Sequence, residues 1–369
     1  MAASLILAGC HPAGQSPVYD ILSFGAVGDG LTDCTAAINT AIAQCGPEGG
    51  VVRIPAGTYL CGTLFLQDKV TLHLDQGATL LASDNLDDYA SYIPKKDLSK
   101  YSSGVDGQNA NNASDPTWMK ALIIGDGVSD VAIEGEGVID GRHVFNLLGE
   151  EGMRGPHTIV LAEASGFRME GISVLRSANY AFLGYEIQDA AFRNLYFGEG
   201  WDGIHIRGGQ HIDISECRFE TGDDCIGGGY WEDMTLTDCY LNSSCDGVRM
   251  FMPASDFVMD RCVITGPGRF PHRTSGKLQR RNLLSGVIIE PGEWGPAPGE
   301  LRGIILRNLE IQNAQSPVAV NLCPGAKGYD LTLDHVTATG AYGVMTPILS
   351  QEKDTGFETI ILRDCSITR

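Results

Sequence analysis

The chain has 369 residues, 47 of them glycine, and a formal net charge of −20. A balance so acidic excludes a phosphate-backbone partner, since nucleic-acid binding needs a basic face, and no apolar run is long enough to span a bilayer as a helix. What remains is a soluble, folded body rich in short β segments, with neutral or cationic partners.

Residues 1–17 fall outside the expected fold. Leu7-Ala8-Gly9-Cys10 resembles the site where bacterial lipoprotein signals are cut before the cysteine is lipidated, although the apolar stretch is short and lacks a positive n-region. The expectation is a truncated lipoprotein-type signal or linker on an exported protein, periplasmic or at the cell surface, held to a membrane only through a lipid on Cys10. An ordinary frayed terminus is the alternative. Residues 18–369 read as one domain.

Thr32-Asp33 leads into a segment, Cys34 to Cys45, that places Ile38, Ala41, Ile42 and Cys45 on one face. With Asp33 as N-cap and Gly46 as stop it reads as a short amphipathic helix. Such a helix covers the open end of a repeat stack, which needs a cap for solubility. Segments 49–54, 58–66 and 69–82 read as the first strands. Two insertions follow, a polar one over 84–119 and a basic one over 267–283 that carries Arg269, Arg273, Lys277, Arg280 and Arg281 with no acid. The second is expected to overhang the site described below, or else to be a solvated surface loop.

From Ile172 onward the chain repeats. Ile172, Leu195, Cys217, Cys239 and Cys262 follow one another at steps of 23, 22, 22 and 23 residues, and Leu309, Val336 and Cys365 continue the slot after longer connections. A slot that alternates between Cys and aliphatic residues is an interior position where a thiol acts as a small hydrophobe. Cys34, Cys45 and Cys61 are close enough in sequence to hold one bridge, which the sequence leaves open. The period, with short alternating runs such as Asp213-Ile214-Ser215, means stacked β coils of strand, turn, strand, turn.

Seven residues after the ladder slot stands an aspartate in three successive repeats, Asp202, Asp224 and Asp246, and Asp223 adds a fourth carboxylate. In register they form a column at about 4.8 Å per coil. Two unit charges about 5 Å apart at an effective dielectric of 20 repel by roughly 3 kcal/mol, so the column calls for shared protons, a cation or catalytic use. A bland alternative is that Asp simply favours turns entering strands.

Three further stretches, Phe24 to Asp33 (FGAVGDGLTD), Pro55-Ala56-Gly57-Thr58-Tyr59 and Ile133 to Gly141 (IEGEGVIDG), resemble the N-terminal signatures of pectin-degrading right-handed parallel β-helices. Gly222-Asp223-Asp224 matches the Gly-Asp-Asp of the polygalacturonase-like glycoside hydrolases, family 28. Asp202 stands at the last position of that family's Asn-Thr-Asp, with Gly200-Trp201 replacing the first two residues. The resemblance covers the chain from about residue 18 onward. It implies an all-β fold, a single right-handed parallel β-helix with a short N-terminal capping α-helix. It also implies an inverting glycosidase in which Asp223 protonates the leaving oxygen while Asp202 and Asp224 hold and deprotonate water. Packed carboxylates titrate as a set, which suits such acid/base work. Carboxyls about 5 Å apart by themselves point to retention; inversion is what the family implies.

Two positions depart from the family. Asp246-Gly247 replaces its His-Gly, and Gly286-Val287-Ile288-Ile289-Glu290 replaces the strand whose Arg-Ile-Lys grips a uronate. Glu290 in place of a lysine repels galacturonate, so ordinary polygalacturonan is a doubtful substrate. By the period of two, Ile204, Ile206, Ile226, Val248 and Met250 point inward, and His205, Arg207, Gly227, Gly229 and Arg249 outward. The glycines then read as a bare floor for a sugar ring. His205, Arg207 and Arg249 read as a basic rim that binds sugar, orients the carboxylates or only neutralises them. Tyr180, Tyr230 and Trp231 are candidates for stacking on sugar faces, or for plain packing. Together with Asp246 and Glu290 these form the expected substrate-binding set.

The expected activity is hydrolysis of a pectin-like or other plant or algal polysaccharide or oligosaccharide by a monomer, with no metal and no cofactor. A uronate lyase or epimerase using Ca²⁺ on the acid stack, and a non-catalytic glycan-binding solenoid, are the rival readings.

Overall fold

The computed structural model describes residues 16–102, 111–272, 279–343, 347–351 and 356–368. Cys10, Arg273 and Lys277 lie outside them. Among the described residues, thirty strands wind into one right-handed parallel β-helix, and every strand-to-strand pairing is parallel.

Eight strands stacked in chain order build the face that carries the site. They are β1 (Ala121–Asp126), β2 (His157–Ala162), β3 (Phe182–Arg193), β4 (Ile204–Ser215), β5 (Ile226–Thr237), β6 (Asp246–Met250), β7 (Leu283–Ile289) and β8 (Ala314–Val320). Their register is a column of β-branched side chains, Ile204, Ile226, Val248, Val287 and Val318, each directly above the last. All five are fully buried. Side chains of this shape pack well on a pleated surface. The neighbouring positions, His205, Gly227, Arg249 and Ile288, are stacked on the opposite face of the same strands, as the alternation predicts.

The ladder slot lies inside the helix. Ile172, Leu195, Cys217, Cys239, Cys262, Leu309 and Val336 are buried, Cys365 partly so, and each aliphatic member contributes about 1.5–3 kcal/mol by its burial. The ten cysteines among the described residues are all free thiols, Cys34, Cys45 and Cys61 included. One residue before the slot the backbone turns through the left-handed region, at Asn194, Glu216, Asp238, Arg261, Asn308, His335 and Asp364. Asn and Asp tolerate that conformation best, and the turn resets each coil.

The capping helix α1 spans Thr35–Cys45 and buries Ile38, Ala41, Ile42 and Cys45. Its N-cap is Cys34, one residue beyond the expected Asp33. Asp33 still serves the helix start, because its carboxylate accepts the Thr35 N–H at 2.9 Å. Asn39 pins the helix to the first coils, donating to Thr63 O and accepting from Phe65 N, each at 2.9 Å.

The described part of the first insertion, polar in overall composition, packs as a wall through its apolar residues. Tyr92, Leu98, Tyr101, Trp118 and Met119 form an apolar cluster with Val160, Leu183 and Tyr185 on the outer face of β2 and β3. A few aromatic anchors outweigh the polar residues between them.

Candidate active site

The acid column forms because main-chain rungs fix one aspartate per coil. Gly203 N–H donates to Asp224 O at 3.0 Å and Cys225 N–H to Asp246 O at 3.1 Å. Oxygens of Asp202, Asp223 and Asp224 lie within 4.8 Å of one another, and all three side chains are buried. Gly222 must be glycine: a Cβ there would stand 2.5 Å from Gly200 O and 2.7 Å from Pro271 O. That close approach brings the second insertion down onto Asp223.

Each carboxylate has its own partners. Asp223 receives Arg154 Nη2 at 2.8 Å on one oxygen and faces His272 Nε2 at 3.4 Å with the other. Arg154 also pairs with Glu151 at 3.1 Å and Glu150 at 3.7 Å, and lies over the Trp201 ring at 4.1 Å. Asp202 Oδ2 is 2.7 Å from His205 Nδ1. Asp224 has Arg249 at 3.8 Å, and Arg249 is drawn further to Glu290 at 2.6 Å and over Trp294.

These partners split the titration of the set. Burial opposes ionisation of Asp223, but His272 and Arg154 outweigh it and hold this carboxyl well below the usual range. Burial, then the charges of Asp223 and Asp224, push Asp202 well above it. Burial and Asp223 do the same to Asp224. A proton bound by the column therefore favours Asp202 or Asp224 over Asp223, whereas the family resemblance makes Asp223 the acid. Burial also pushes Glu150 up to about 7, although Arg154 pulls the other way.

The acids line a pocket of about 250 Å³ together with Asn111, Glu150, Arg154, His272, Arg280 and Trp294. That is smaller than the roughly 300–1,000 Å³ of pockets that enclose a drug-sized ligand. Three trios at this site could hold a cation, Asp202-Asp223-Asp224, Asp223-Cys245-His272 and Asp224-Cys245-Asp246. An arginine already engages a member of each: Arg154 is on Asp223, and Arg280 Nη2 is 3.2 Å from Cys245 Sγ.

Of the residues expected from sequence, Asp202, Asp223, Asp224, Tyr180, His205 and Arg249 line this pocket. Five do not. Arg207 is fully buried beneath the first insertion, where its Nη1 donates to Tyr101 O at 2.8 Å and Asn111 O at 3.1 Å. Asp246 is buried below the floor beside Cys245. Glu290 is buried as the partner of Arg249. Tyr230 donates from its hydroxyl to Pro298 O at 3.2 Å, away from the acids. Trp231 is a core residue whose Nε1 donates to Ile206 O at 2.8 Å. The left-handed backbone of Gly228, Gly229 and Tyr230 breaks the alternation there and turns the indole inward.

The glycine floor is also covered. A Cβ on Gly227 would meet His205 Nδ1 at 2.9 Å, and one on Gly229 would meet Met252 at 2.4 Å. Tyr180 offers no free ring face on its His205 side, since the two rings stack at 4.3 Å and 10°.

Sequence reasoning missed Glu150, Glu151, Arg154 and Trp294, which lie on connections with no period. His272 sits in the basic insertion that was singled out, but its own role has no local signature.

The chain is 27% identical over 256 residues to an exo-poly-alpha-D-galacturonosidase of Dickeya chrysanthemi, covering 57% of this chain and 41% of that one. The chain thus spans about two fifths of that relative's length. It is 26% identical over 215 residues to the plasmin and fibronectin-binding protein A of Streptococcus pneumoniae, covering 56% of this chain and 24% of the other. A polygalacturonase structure from Erwinia carotovora superposes with a TM-score of 0.67 at 15% identity, covering 96% of this chain and 93% of that one, a likeness of fold. Residues 18–249, more than half of the sequence, match the family described as rhamnogalacturonase A/epimerase, pectate lyase-like, and the chain belongs to that family.

Proposed function

We propose that the protein hydrolyses a glycosidic bond of a pectin-like or related plant or algal polysaccharide, working from a chain end with the inverting outcome of the family it resembles. The observation that carries this reading is the trio of buried carboxylates from adjacent coils, one paired with arginine and two pushed toward the protonated form. Asp223 gives its proton to the leaving oxygen, and Asp202 with Asp224 takes one from the attacking water. The Arg154 contact favours ionised Asp223. The assignment therefore requires the sugar to loosen that contact, so that the proton held by Asp202 and Asp224 moves to Asp223. The trio titrates as one set, so the move changes no net charge.

The small pocket supports an end-acting mode, because Asn111 of the first insertion and His272 and Arg280 of the second line it. Its charge supports a neutral terminal sugar. Arg154 is engaged by Asp223 and Glu151, and Arg249 by Glu290. Another carboxylate would enter beside five acids of the lining.

A non-catalytic binding solenoid is the second reading, favoured by the similarity to the pneumococcal binding protein. A panel of oligosaccharides followed by NMR separates the two. Release of a terminal sugar, lost in Asp223→Asn, supports the hydrolase. Binding with no product over long incubation supports the binder, and an unsaturated product would instead support a lyase.

A further inference from the structure

We infer that Arg207 fixes the tautomer of His205, and that His205 in turn positions Asp202 as a hydrogen-bond acceptor. This deepens the hydrolase reading, since Asp202 is one of its two water-binding carboxylates. The sequence placed both basic residues against substrate, but the geometry connects them in series. Arg207 Nε stands 3.2 Å from His205 Nε2, and His205 Nδ1 stands 2.7 Å from Asp202 Oδ2.

The direction of the two bonds follows from what each group can do. A guanidinium N–H only donates, so Nε2 of His205 must be the acceptor and carries no proton. The one ring proton of the neutral imidazole is then on Nδ1, and it donates to Asp202. An imidazolium would put an N–H against the Arg207 N–H. Burial, followed by the charges of Arg207 and His157, also holds His205 in the neutral form, against the pull of Asp223.

The surroundings leave the ring little freedom. Tyr180 stacks on one face, Phe251 approaches at 5.3 Å, and Arg249 is a further nearby charge. The side chain of any residue but glycine at position 227 would run into Nδ1, which explains that glycine without a sugar above it. Arg207 is itself held by two carbonyls of the first insertion, Tyr101 O and Asn111 O. The same insertion that walls the pocket therefore orients the base on its floor. With one oxygen committed to His205, Asp202 presents the other to water, as outer partners orient the ligands of a metal site.

The test uses the full chain. In protein labelled with ¹⁵N in its histidine rings, with the His205 signals assigned by their loss in His205→Asn, long-range ¹⁵N–¹H correlation at pH 7 is expected to show protonated Nδ1 and bare Nε2. The opposite tautomer, or an imidazolium, overturns the inference whether or not a substrate is known. On the substrate from the panel, His205→Asn retains a donor at the Nδ1 position and is expected to stay within about 10-fold of wild type. His205→Gln and His205→Ala are expected to lose about 100-fold in kcat at nearly constant KM, the scale of a misplaced catalytic group. In both, the acidic limb of the pH profile moves up, because Asp202 loses a donor to its ionised form. Equal kcat in all three variants overturns the positioning role. A fully active Asp223→Asn would instead sink the hydrolase mechanism and leave the tautomer standing.

Discussion

Arg154 and Asp223, 69 residues apart in sequence, meet at 2.8 Å inside the pocket. The pair decides which member of the acid column carries charge at rest, because a buried arginine keeps its partner ionised while Asp202 and Asp224 are pushed toward the protonated form. Its consequences can be measured.

Removing the arginine shifts the pH profile. Without Arg154 the Asp223 carboxyl rises toward the ordinary range or above it, and the acid keeps its proton to higher pH. Arg154→Met is therefore expected to move the alkaline limb of kcat/KM upward by about one unit, a change worth about 1.4 kcal/mol. An unmoved or lowered limb contradicts the pairing.

Asp224 trades stability for function. Its folded-state pKa is raised above the unfolded value, so the stabilisation it allows is complete at low pH and lost as pH rises. Asp224→Asn retains the acceptor for Asp246 N–H and removes the charge. The variant is expected to be inactive, to melt about 1–3 °C higher at pH 7, and to show no gain at pH 4, by thermal unfolding. A lower melting temperature at pH 7 contradicts a strained column.

Glu150 titrates between its unfolded value and about 7. Over that window the folded chain binds more protons than the unfolded one, so stability falls with rising pH. Glu150→Gln is expected to flatten that fall, matching wild type at pH 4 and exceeding it at pH 8 in thermal unfolding. A curve parallel to wild type contradicts it.

Glu290 holds Arg249 in an ion pair, and under the proposed function that pair disfavours a charged terminal sugar. Wild type is expected to release galacturonate from polygalacturonic acid slowly. Glu290→Gln, which frees Arg249 from its pair, is expected to speed that release several-fold while slowing action on a neutral chain end. Efficient wild-type release of galacturonate, measured by reducing-sugar assay, contradicts the reading.

The repeating coils and the capping helix were legible from their periods, and the docking of the insertions was not. Asp202, Asp224 and Asp246 could be placed in one column because a fixed offset from Leu195, Cys217 and Cys239 is a statement about main-chain register, which the period carries. Trp231 escaped because its direction depends on the left-handed backbone at Gly228 through Tyr230, which interrupts the alternation. Arg207 was read correctly as outward from its strand, but the insertion that buries it has no periodic signal. Arg154 and His272 are the partners of Asp223, and they come from an aperiodic connection and from the second insertion, whose docking is tertiary. The sequence thus exposed the carboxylates and concealed what tunes them.

Acid/base hydrolysis by the column stands or falls with Asp223→Asn. Asparagine preserves the shape and accepts the same Arg154 bond, so the fold should survive, checked by circular dichroism. Turnover of the oligosaccharide identified in the panel, followed by NMR of the first-formed anomer, should fall by at least about 1,000-fold, consistent with loss of a positioned acid, and wild type should release the inverted anomer. Near wild-type turnover by Asp223→Asn would contradict the account.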